Sequence, residues 1–304
     1  MAGAKGLVTE QRNERTKDID TLSTEEMLRR INDEDKKVPY AVEETIPEIT
    51  EAVDVVTNQL RAGGSLFYVG AGTSGRLGVL DASECPPTYR SDPEQVQGII
   101  AGGKEALVRS IEGAEDYEED GAQALRDNGV DTGDVVCGIA TSGRTPYVLG
   151  ALKYAKEQGI PTIALICNPV EHLEEEVVTD ILINPIVGPE VITGSTRMKA
   201  GTATKLVLNM ITTAAMIKLG KVYGNLMVDL TAVNKKLIDR SQRIVMEVTG
   251  VDRDKVTEVL EAAEYKVKNA ILMTLADVDF QRSQELLEKH QGMLRQAINA
   301  VSSP

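Results

Sequence analysis

The chain has 304 residues, of which 42% are hydrophobic and 26% charged, as is ordinary for a soluble globular protein of one or two domains. Its net charge is −14, aromatic residues make up only 3% and tryptophan is absent, so it lacks the basic field and stacking rings of a nucleic-acid binder. No apolar run is long enough to cross a bilayer, and the first residues do not resemble a signal peptide. Three widely spaced cysteines indicate reduced thiols in a cytoplasmic protein and no zinc site.

The first part of the chain predicts a polar arm followed by helices. Residues 1–20 show no apolar period, so we expect an arm that orders only against something else. Ser23 to Glu26 form a capping box that begins a short helix. Apolar residues from Ile46 to Leu60, spaced three and four apart, predict a long helix that ends at Gly63.

Five short apolar runs follow, each separated from the next by a glycine-bearing loop and a helical stretch. The runs are Leu66–Val69, Val96–Ile100, Val135–Ile139, Thr162–Ile166 and Ile181–Ile183. Continuous apolar strands indicate a sheet that is covered on both faces. Their alternation with helices predicts an α/β fold with a doubly wound parallel sheet.

The last third of the chain changes to helices. We expect a helix over about Ala200–Leu219, an extended connector over Asn225–Leu230 and a helix over about Ala232–Val248. Three short helices are predicted between Asp252 and Ala300, with breaks at Asp277 and Gly292. The expected domains are therefore an N-terminal arm with helices (1–50), the sheet domain (51–220), a connector with a helix (221–250) and a small all-helical C-terminal domain (251–304).

The first candidate site is the loop Gly70–Arg76, which follows a strand and opens a helix. It matches the dinucleotide pattern G-x-G-x-x-G, but the next strand ends at Ile100 followed by Ala101, without the acidic residue that would hold a ribose. The hydroxyls of Thr73 and Ser74 beside free backbone N–H groups favour a cup for a phosphate monoester. Taken alone, the loop is better explained by a plain glycine-rich connection.

A second hydroxyl-rich loop, Thr141–Pro146, follows the strand at Val135–Ile139. Thr145 is a good N-cap and Pro146 suits the first helical position. Loops at the carboxyl ends of strands in one parallel sheet can converge on one ligand. The pair therefore predicts a site for a phosphorylated small molecule.

The two loops resemble those of the sugar isomerase (SIS) family of phosphosugar-binding domains, which implies a flavodoxin-like fold. Thr73 and Ser74 match the first loop of that family, and Ser142, Gly143 and Thr145 match the second, with Ala140 where a serine is usual.

Longer segments narrow the resemblance to the N-acetylmuramic acid 6-phosphate etherases, a branch related to the glucokinase regulatory protein. The segments are Gly70–Gly78, Asp81–Thr88, Glu112–Asp116 and Gly188–Thr202, and the resemblance covers nearly the whole chain. It implies cleavage of the D-lactyl ether of N-acetylmuramic acid 6-phosphate to N-acetylglucosamine 6-phosphate and D-lactate, in the recycling of cell-wall amino sugars.

The resemblance implies elimination followed by addition of water. Glu84, expected at the end of a helix that Cys85–Pro87 cannot continue, would protonate the departing lactate and later activate water. Glu115 would remove the C2 proton, although the two roles could be exchanged. Arg197 and Lys199 either bind the substrate or pair with surface acids.

Two other functions remain open: a non-catalytic phosphosugar-sensing regulator and an aldose–ketose isomerase of the same fold. Glu84 and Glu115 favour the enzyme, because a sensor needs the phosphate cup but no acid and base. Neither a cofactor nor a metal is expected. The resemblance implies a homodimer, and we expect the C-terminal helices to close over the site as a lid.

Overall fold

A computed structural model describes residues 7–172, 177–231 and 235–302. The chain divides into two compact units, Met1–Cys85 with Asp92–Thr213, and Pro86–Ser91 with Ala214–Pro304. Within the described residues, no helix combines the length and the apolar character that a membrane span requires.

Strands and helices alternate through the first unit. Its strands are β1 (Leu66–Gly70), β2 (Val96–Ile100), β3 (Val135–Ile139), β4 (Thr162–Leu165) and β5 (Ile181–Ile183). Its helices are α1 (Thr24–Asp35), α2 (Val38–Glu43), α3 (Ile46–Ala62), α5 (Glu118–Asp127) and α6 (Pro146–Glu157), while α4 (Gly72–Tyr89) and α7 (Lys199–Lys218) begin in this unit. The five strands lie where the sequence predicts them, with ends that differ by one residue at most.

The five strands form one parallel sheet in the order β2-β1-β3-β4-β5. This is the flavodoxin-like order of the doubly wound fold, which confirms the predicted fold class. In the register of the sheet, Gly70 of β1 lies between Ile100 and Ile139. The carboxyl ends of β1 and β3 therefore lie side by side at the point where the strand order reverses.

Both faces of the sheet are buried, as the continuous apolar strands predict. Phe67 and Val69 of β1 belong to an apolar cluster that contains Val148 and Leu152 of α6. The alternating residues, such as Tyr68, are equally buried and point to the opposite face.

The segment before α1 packs against the chain's own loops. It forms three short 3-10 turns, Val8–Glu10, Glu14–Thr16 and Ile19–Thr21. Thr9 and Thr16 are buried, and the hydroxyl of Thr16 donates to the carbonyl of Val191 at 2.8 Å. Residues 1–6 of the predicted arm lie outside the described part of the chain. From Leu7 onward, internal contacts order the segment that we expected to lack order of its own.

In its described residues, the second unit contains a hairpin and five complete helices. The hairpin pairs β6 (Val222–Tyr223) with β7 (Leu226–Met227), whereas an extended connector was expected over Asn225–Leu230. The helices are α8 (Lys235–Thr249), α9 (Arg253–Ala262), α10 (Val267–Ala276), α11 (Phe280–Lys289) and α12 (Leu294–Ser302). The predicted start of α8 at Ala232 lies outside the described residues.

Four helices follow Asp252, so the prediction of three was wrong. The predicted breaks are present, since Asp277 (φ 50°) and Gly292 (φ 76°) are both left-handed. The additional break lies at Glu264 (φ 52°) and Tyr265 (φ 59°). Residues other than glycine rarely adopt a left-handed backbone. Neither Glu264 nor Tyr265 therefore indicates in the sequence that a helix ends there.

Candidate active site

The first loop turns directly from β1 into α4. Gly75 has to be glycine because an added Cβ would lie 2.6 Å from Cγ1 of Ile100 and 2.7 Å from the carbonyl oxygen of Gly70. Gly72 is left-handed (φ 53°), and a Cβ added there would meet nothing within 4 Å. Because the first N–H groups of a helix lack intrahelical acceptors, those of Gly72 to Ser74 are available to an anion at this loop.

The second loop turns from β3 into α6. Gly143 is left-handed (φ 72°), and its N–H donates to the carbonyl of Ala140 at 2.8 Å. The hydroxyl of Ser142 accepts from the N–H of Arg144 at 3.2 Å, which leaves its own proton for a ligand. Thr145 is the N-cap residue of α6, and Pro146 opens that helix as predicted.

The two loops meet. The hydroxyl oxygens of Ser74 and Thr141 lie 3.4 Å apart, between the carboxyl ends of β1 and β3. This contact confirms that the loops converge, as the parallel sheet predicts. Thr141 was not among the predicted site residues, although it precedes Ser142 in the same motif.

Glu115 lies beside the first loop. A cavity of about 370 Å³ is lined by Gly72 and Arg76 and by the segment Arg109–Asp116, which includes Glu115. The carbonyl oxygen of Glu115 accepts from the N–H of Tyr147 at 3.1 Å, which ties this segment to the start of α6. A carboxylate that the sequence predicts as catalytic therefore shares a cavity with the first loop.

Arg76 holds the wall of this cavity together. Its Nε donates to the carbonyl of Leu107 at 3.2 Å and its Nη2 to that of Arg109 at 3.1 Å. The guanidinium thus connects α4 to the segment that leads to Glu115.

The structure corrects the predicted surroundings of Glu84. Helix α4 does not end there but continues through Pro86 and Pro87 to Tyr89. The two prolines remove the N–H groups that would bond the carbonyls of Ala82 and Ser83, and their rings crowd those carbonyls, but their fixed φ is compatible with a helix. The expectation that Cys85–Pro87 would end the helix was therefore wrong.

Glu84 is exposed and lies away from the two hydroxyl-rich loops of its own chain. Ten helical residues separate it from Ser74, which is a distance of about 15 Å along the axis of α4. Glu84 is also not among the residues that line the cavity beside Glu115. Within one chain, the structure brings Glu115 to the loops but leaves Glu84 at a distance.

Lys199 lies in the interior, where it is 1% exposed. Its ammonium donates to Oε2 of Glu34 at 3.0 Å and to the carbonyl of Val187 at 2.9 Å. The same carboxylate accepts from Lys37 at 2.6 Å and from Asn13 at 2.9 Å. Burial raises the pKa of Glu34, but the hydrogen bonds from Lys37, Lys199 and Asn13 outweigh burial and lower the pKa to about 2.

Glu190 caps the start of α7. Its two carboxylate oxygens accept from the N–H groups of Lys199 and Ala200, each at 3.0 Å. Burial raises the pKa of Glu190, although these backbone hydrogen bonds oppose the rise. Arg197, two residues before α7, is exposed to solvent. Of the two basic residues in the segment Gly188–Thr202, called the signature segment below, only Arg197 lies outside the interior.

Known proteins are similar to this chain over nearly its whole length. The family model of the glucokinase regulatory protein N-terminal SIS domain matches residues 48–156. An N-acetylmuramic acid 6-phosphate etherase of Salinibacter ruber is 58% identical over 293 residues, which are 96% of this chain and 94% of that protein. Similar proteins of the same name occur in Caldanaerobacter subterraneus (57%, covering 96% of this chain and 95% of that protein) and Photorhabdus laumondii (53%, covering 97% of each).

A solved structure of a phosphoheptose isomerase from Neisseria gonorrhoeae also matches. It is 19% identical with a TM-score of 0.49, covering 64% of this chain and 98% of the isomerase.

Proposed function

The chain belongs to the family of N-acetylmuramic acid 6-phosphate etherases, and from this premise we propose that it cleaves the lactyl ether of N-acetylmuramic acid 6-phosphate. The products are N-acetylglucosamine 6-phosphate and D-lactate. The observation that carries the proposal is the contact of the two loops at Ser74 and Thr141, the first of which shares a cavity with Glu115 through Gly72 and Arg76. The near-full-length identity to etherases favours an enzyme over a regulatory protein.

The phosphate binds where the two loops converge. The hydroxyls of Thr73, Ser74, Ser142 and Thr145 donate to its oxygens, together with the N–H groups at the start of α4. Gly143 lets the second loop turn back toward the ligand, because its left-handed conformation is open to glycine at little cost. These groups supply hydrogen bonds and dipoles that attract a dianion even in a chain of net charge −14.

The reaction is an elimination followed by an addition. In the ring-opened sugar the aldehyde acidifies the C2 proton, which Glu115 removes. The C3–O bond then breaks, a C2–C3 double bond forms, and Glu84 protonates the departing lactate oxygen. Water adds to C3 as Glu84 takes one of its protons, and Glu115, whose proton exchanges with solvent, returns a proton to C2. Each carboxyl group ends in the protonation state in which it began, and no cofactor is required.

Glu84 acts in the site of a second copy of the chain. The separation of about 15 Å along α4 keeps it from the phosphate loops of its own chain. Leu80 lies one turn earlier on α4 and is 50% exposed, so an apolar side chain lies on the same face of the helix as Glu84. A homodimer in which this face of α4 meets the partner would complete both sites.

Arg197 and Lys199, the two basic residues of the signature segment, have different roles. Arg197 is exposed and suits a bidentate contact with the lactyl carboxylate. Substrate binding by Lys199 stays a prediction, since its ammonium is held by Glu34 and Val187 and stabilises the start of α7.

We place the enzyme in the cytoplasm. All three cysteines, Cys85, Cys137 and Cys167, are free and buried, which fits a reducing compartment.

The test is incubation with N-acetylmuramic acid 6-phosphate in D2O, with NMR detection of lactate and of deuterium at C2. The wild type should release lactate and leave deuterium at C2 of the product. Glu84→Gln should exchange the C2 proton without releasing lactate, whereas Glu115→Gln should do neither.

A different mechanism or a non-catalytic function would give a different spectrum. Lactate release without deuterium at C2 would indicate direct hydrolysis of the ether. Binding with neither exchange nor lactate would identify a regulatory protein and overturn the proposal.

A further inference from the structure

Asn168 lies behind the second phosphate loop, three residues after β4, and is completely buried. Its Nδ2 donates to the carbonyl of Thr141 at 2.9 Å and to the hydroxyl of Thr9 at 3.0 Å. Its Oδ1 accepts from the N–H of Thr9 at 3.2 Å. The Nδ2 of this amide therefore holds both the second loop and the N-terminal segment, and its Oδ1 holds the N-terminal segment as well.

Thr141 passes this contact on to the first loop. Its carbonyl is held by Asn168 and by the N–H of Cys167 at 3.0 Å, and its hydroxyl lies 3.4 Å from that of Ser74. A continuous series of hydrogen bonds thus runs from Thr9 through Asn168 and Thr141 to Ser74. A shift of the Thr141 carbonyl would move the hydroxyl that faces the first loop.

The N-terminal segment is fixed on its other side as well. The carbonyl of Thr9 accepts from the N–H of Gly194 at 3.2 Å. Farther along, Asn13 donates to the carbonyl of Pro189 at 3.0 Å. The segment therefore links the phosphate loops to the stretch that leads to Arg197 and α7.

We propose that Thr9 and Asn168 are positioning residues of the phosphosugar site, through which the N-terminal segment sets the place of Thr141 and so of Ser74, whose hydroxyl binds the phosphate. The inference rests on the proposed function, since it assigns the phosphate to these loops. Neither residue touches the reacting carbons. Because the phosphate is held equally before and during the reaction, a displaced loop raises KM and changes kcat little.

Thr9→Val tests this, since it removes the hydroxyl while keeping the shape of the side chain and the N–H to Asn168. We expect KM for N-acetylmuramic acid 6-phosphate to rise about five- to tenfold with kcat nearly unchanged, as for the loss of one buried hydrogen bond. Thr9→Ser keeps the hydroxyl and should restore the wild-type KM. Asn168→Ala should raise KM further.

Thr57→Val is the matched control. Thr57 is equally buried, and its hydroxyl donates to the carbonyl of Val53 within α3, away from the loops. It should leave KM unchanged. If Thr9→Val lowers the melting temperature or kcat but leaves KM like that of Thr57→Val, the role is structural only and the proposal is wrong.

Calorimetric binding of N-acetylglucosamine 6-phosphate separates this proposal from the proposed reaction. If the wild type binds N-acetylglucosamine 6-phosphate but releases no lactate from N-acetylmuramic acid 6-phosphate, the proposed etherase reaction is wrong. Weaker binding by Thr9→Val than by Thr57→Val would then still support positioning. Equal binding by the two variants would overturn it.

Discussion

Glu34 joins three parts of the sequence through one buried carboxylate. It accepts from Asn13 of the N-terminal segment, from Lys37 after its own helix and from Lys199 at the start of α7. Breaking a buried pair by removing one partner is costly, because the other charge stays buried without compensation. The start of α7 and the signature segment before it therefore depend on a residue that is distant in sequence.

Glu34→Gln should lower the free energy of unfolding by about 3 kcal/mol at neutral pH. The pKa of Glu34 is about 2 in the folded protein against an ordinary value of 4.5. Since the folded pKa is the lower one, this stabilisation is complete above pH 4.5 and is lost as the pH falls toward 2. Urea unfolding at several pH values should show the gap to the wild type narrowing below pH 4.5.

Glu25→Gln serves as the control for this measurement. Glu25 lies in the same helix and pairs with Arg29, but both side chains are 74% exposed, so its loss should change stability little. A gap between Glu34→Gln and the wild type that is the same at every pH would contradict the assigned pKa.

Residues of the site differ in how far the sequence could predict them. Ser74 and Glu115 lie in long motifs, and those motifs are enough to select them. Thr141 was not selected, and Asn168 carries no motif at all, because its importance comes from contacts with Thr9, which is 159 positions earlier. Local patterns identify the loops, whereas the groups that hold them depend on distant pairing.

Among the elements, α4 depends most on its glycines. Gly75→Ala should destabilise the fold by about 2 kcal/mol, because the new Cβ would overlap Ile100 and the backbone of β1. Gly201→Ala, in α7, should instead stabilise it by about 1 kcal/mol, since the nearest atom would be 3.5 Å from the new Cβ and alanine favours helix. Denaturant unfolding of both variants measures the difference, and equal effects would contradict the close approach at Gly75.

Secondary structure could be predicted where a pattern has one meaning. The β-branched runs have such a meaning, and all five strands of the parallel sheet were predicted.

Pro86 and Pro87 were misread because proline usually ends helices. Here the helix continues, and the N–H of Arg90 donates to the carbonyl of Pro86 at 2.8 Å. The hairpin was missed although Gly224 and Asn225 form a recognisable two-residue turn, whereas Glu264 gives no warning of its left-handed backbone.

For the whole molecule, a partner-supplied Glu84 makes a quantitative prediction. Glu84→Gln and Glu115→Gln should each be inactive as homodimers. After the two are unfolded together and refolded in equal amounts, half of the dimers are mixed and each carries one intact site. Lactate release should return to about a quarter of the wild-type rate.

The same mixture can also refute the arrangement. If both carboxylates came from one chain, no site in a mixed dimer would be intact and no activity would return. Refolded wild type and each variant refolded alone give the reference rates. The size of the refolded species, measured by light scattering, establishes whether dimers are present.

The positions of the cysteines have a practical consequence. All three lie in the unit that contains the sheet, and burial raises the pKa of Cys85, of Cys137 and of Cys167 to about 12. A buried protonated thiol reacts slowly with alkylating reagents until its surroundings open. The rate of alkylation in the native protein therefore reports how often the surroundings of these three thiols open. The second unit has no cysteine and adds no alkylation of its own to that measurement.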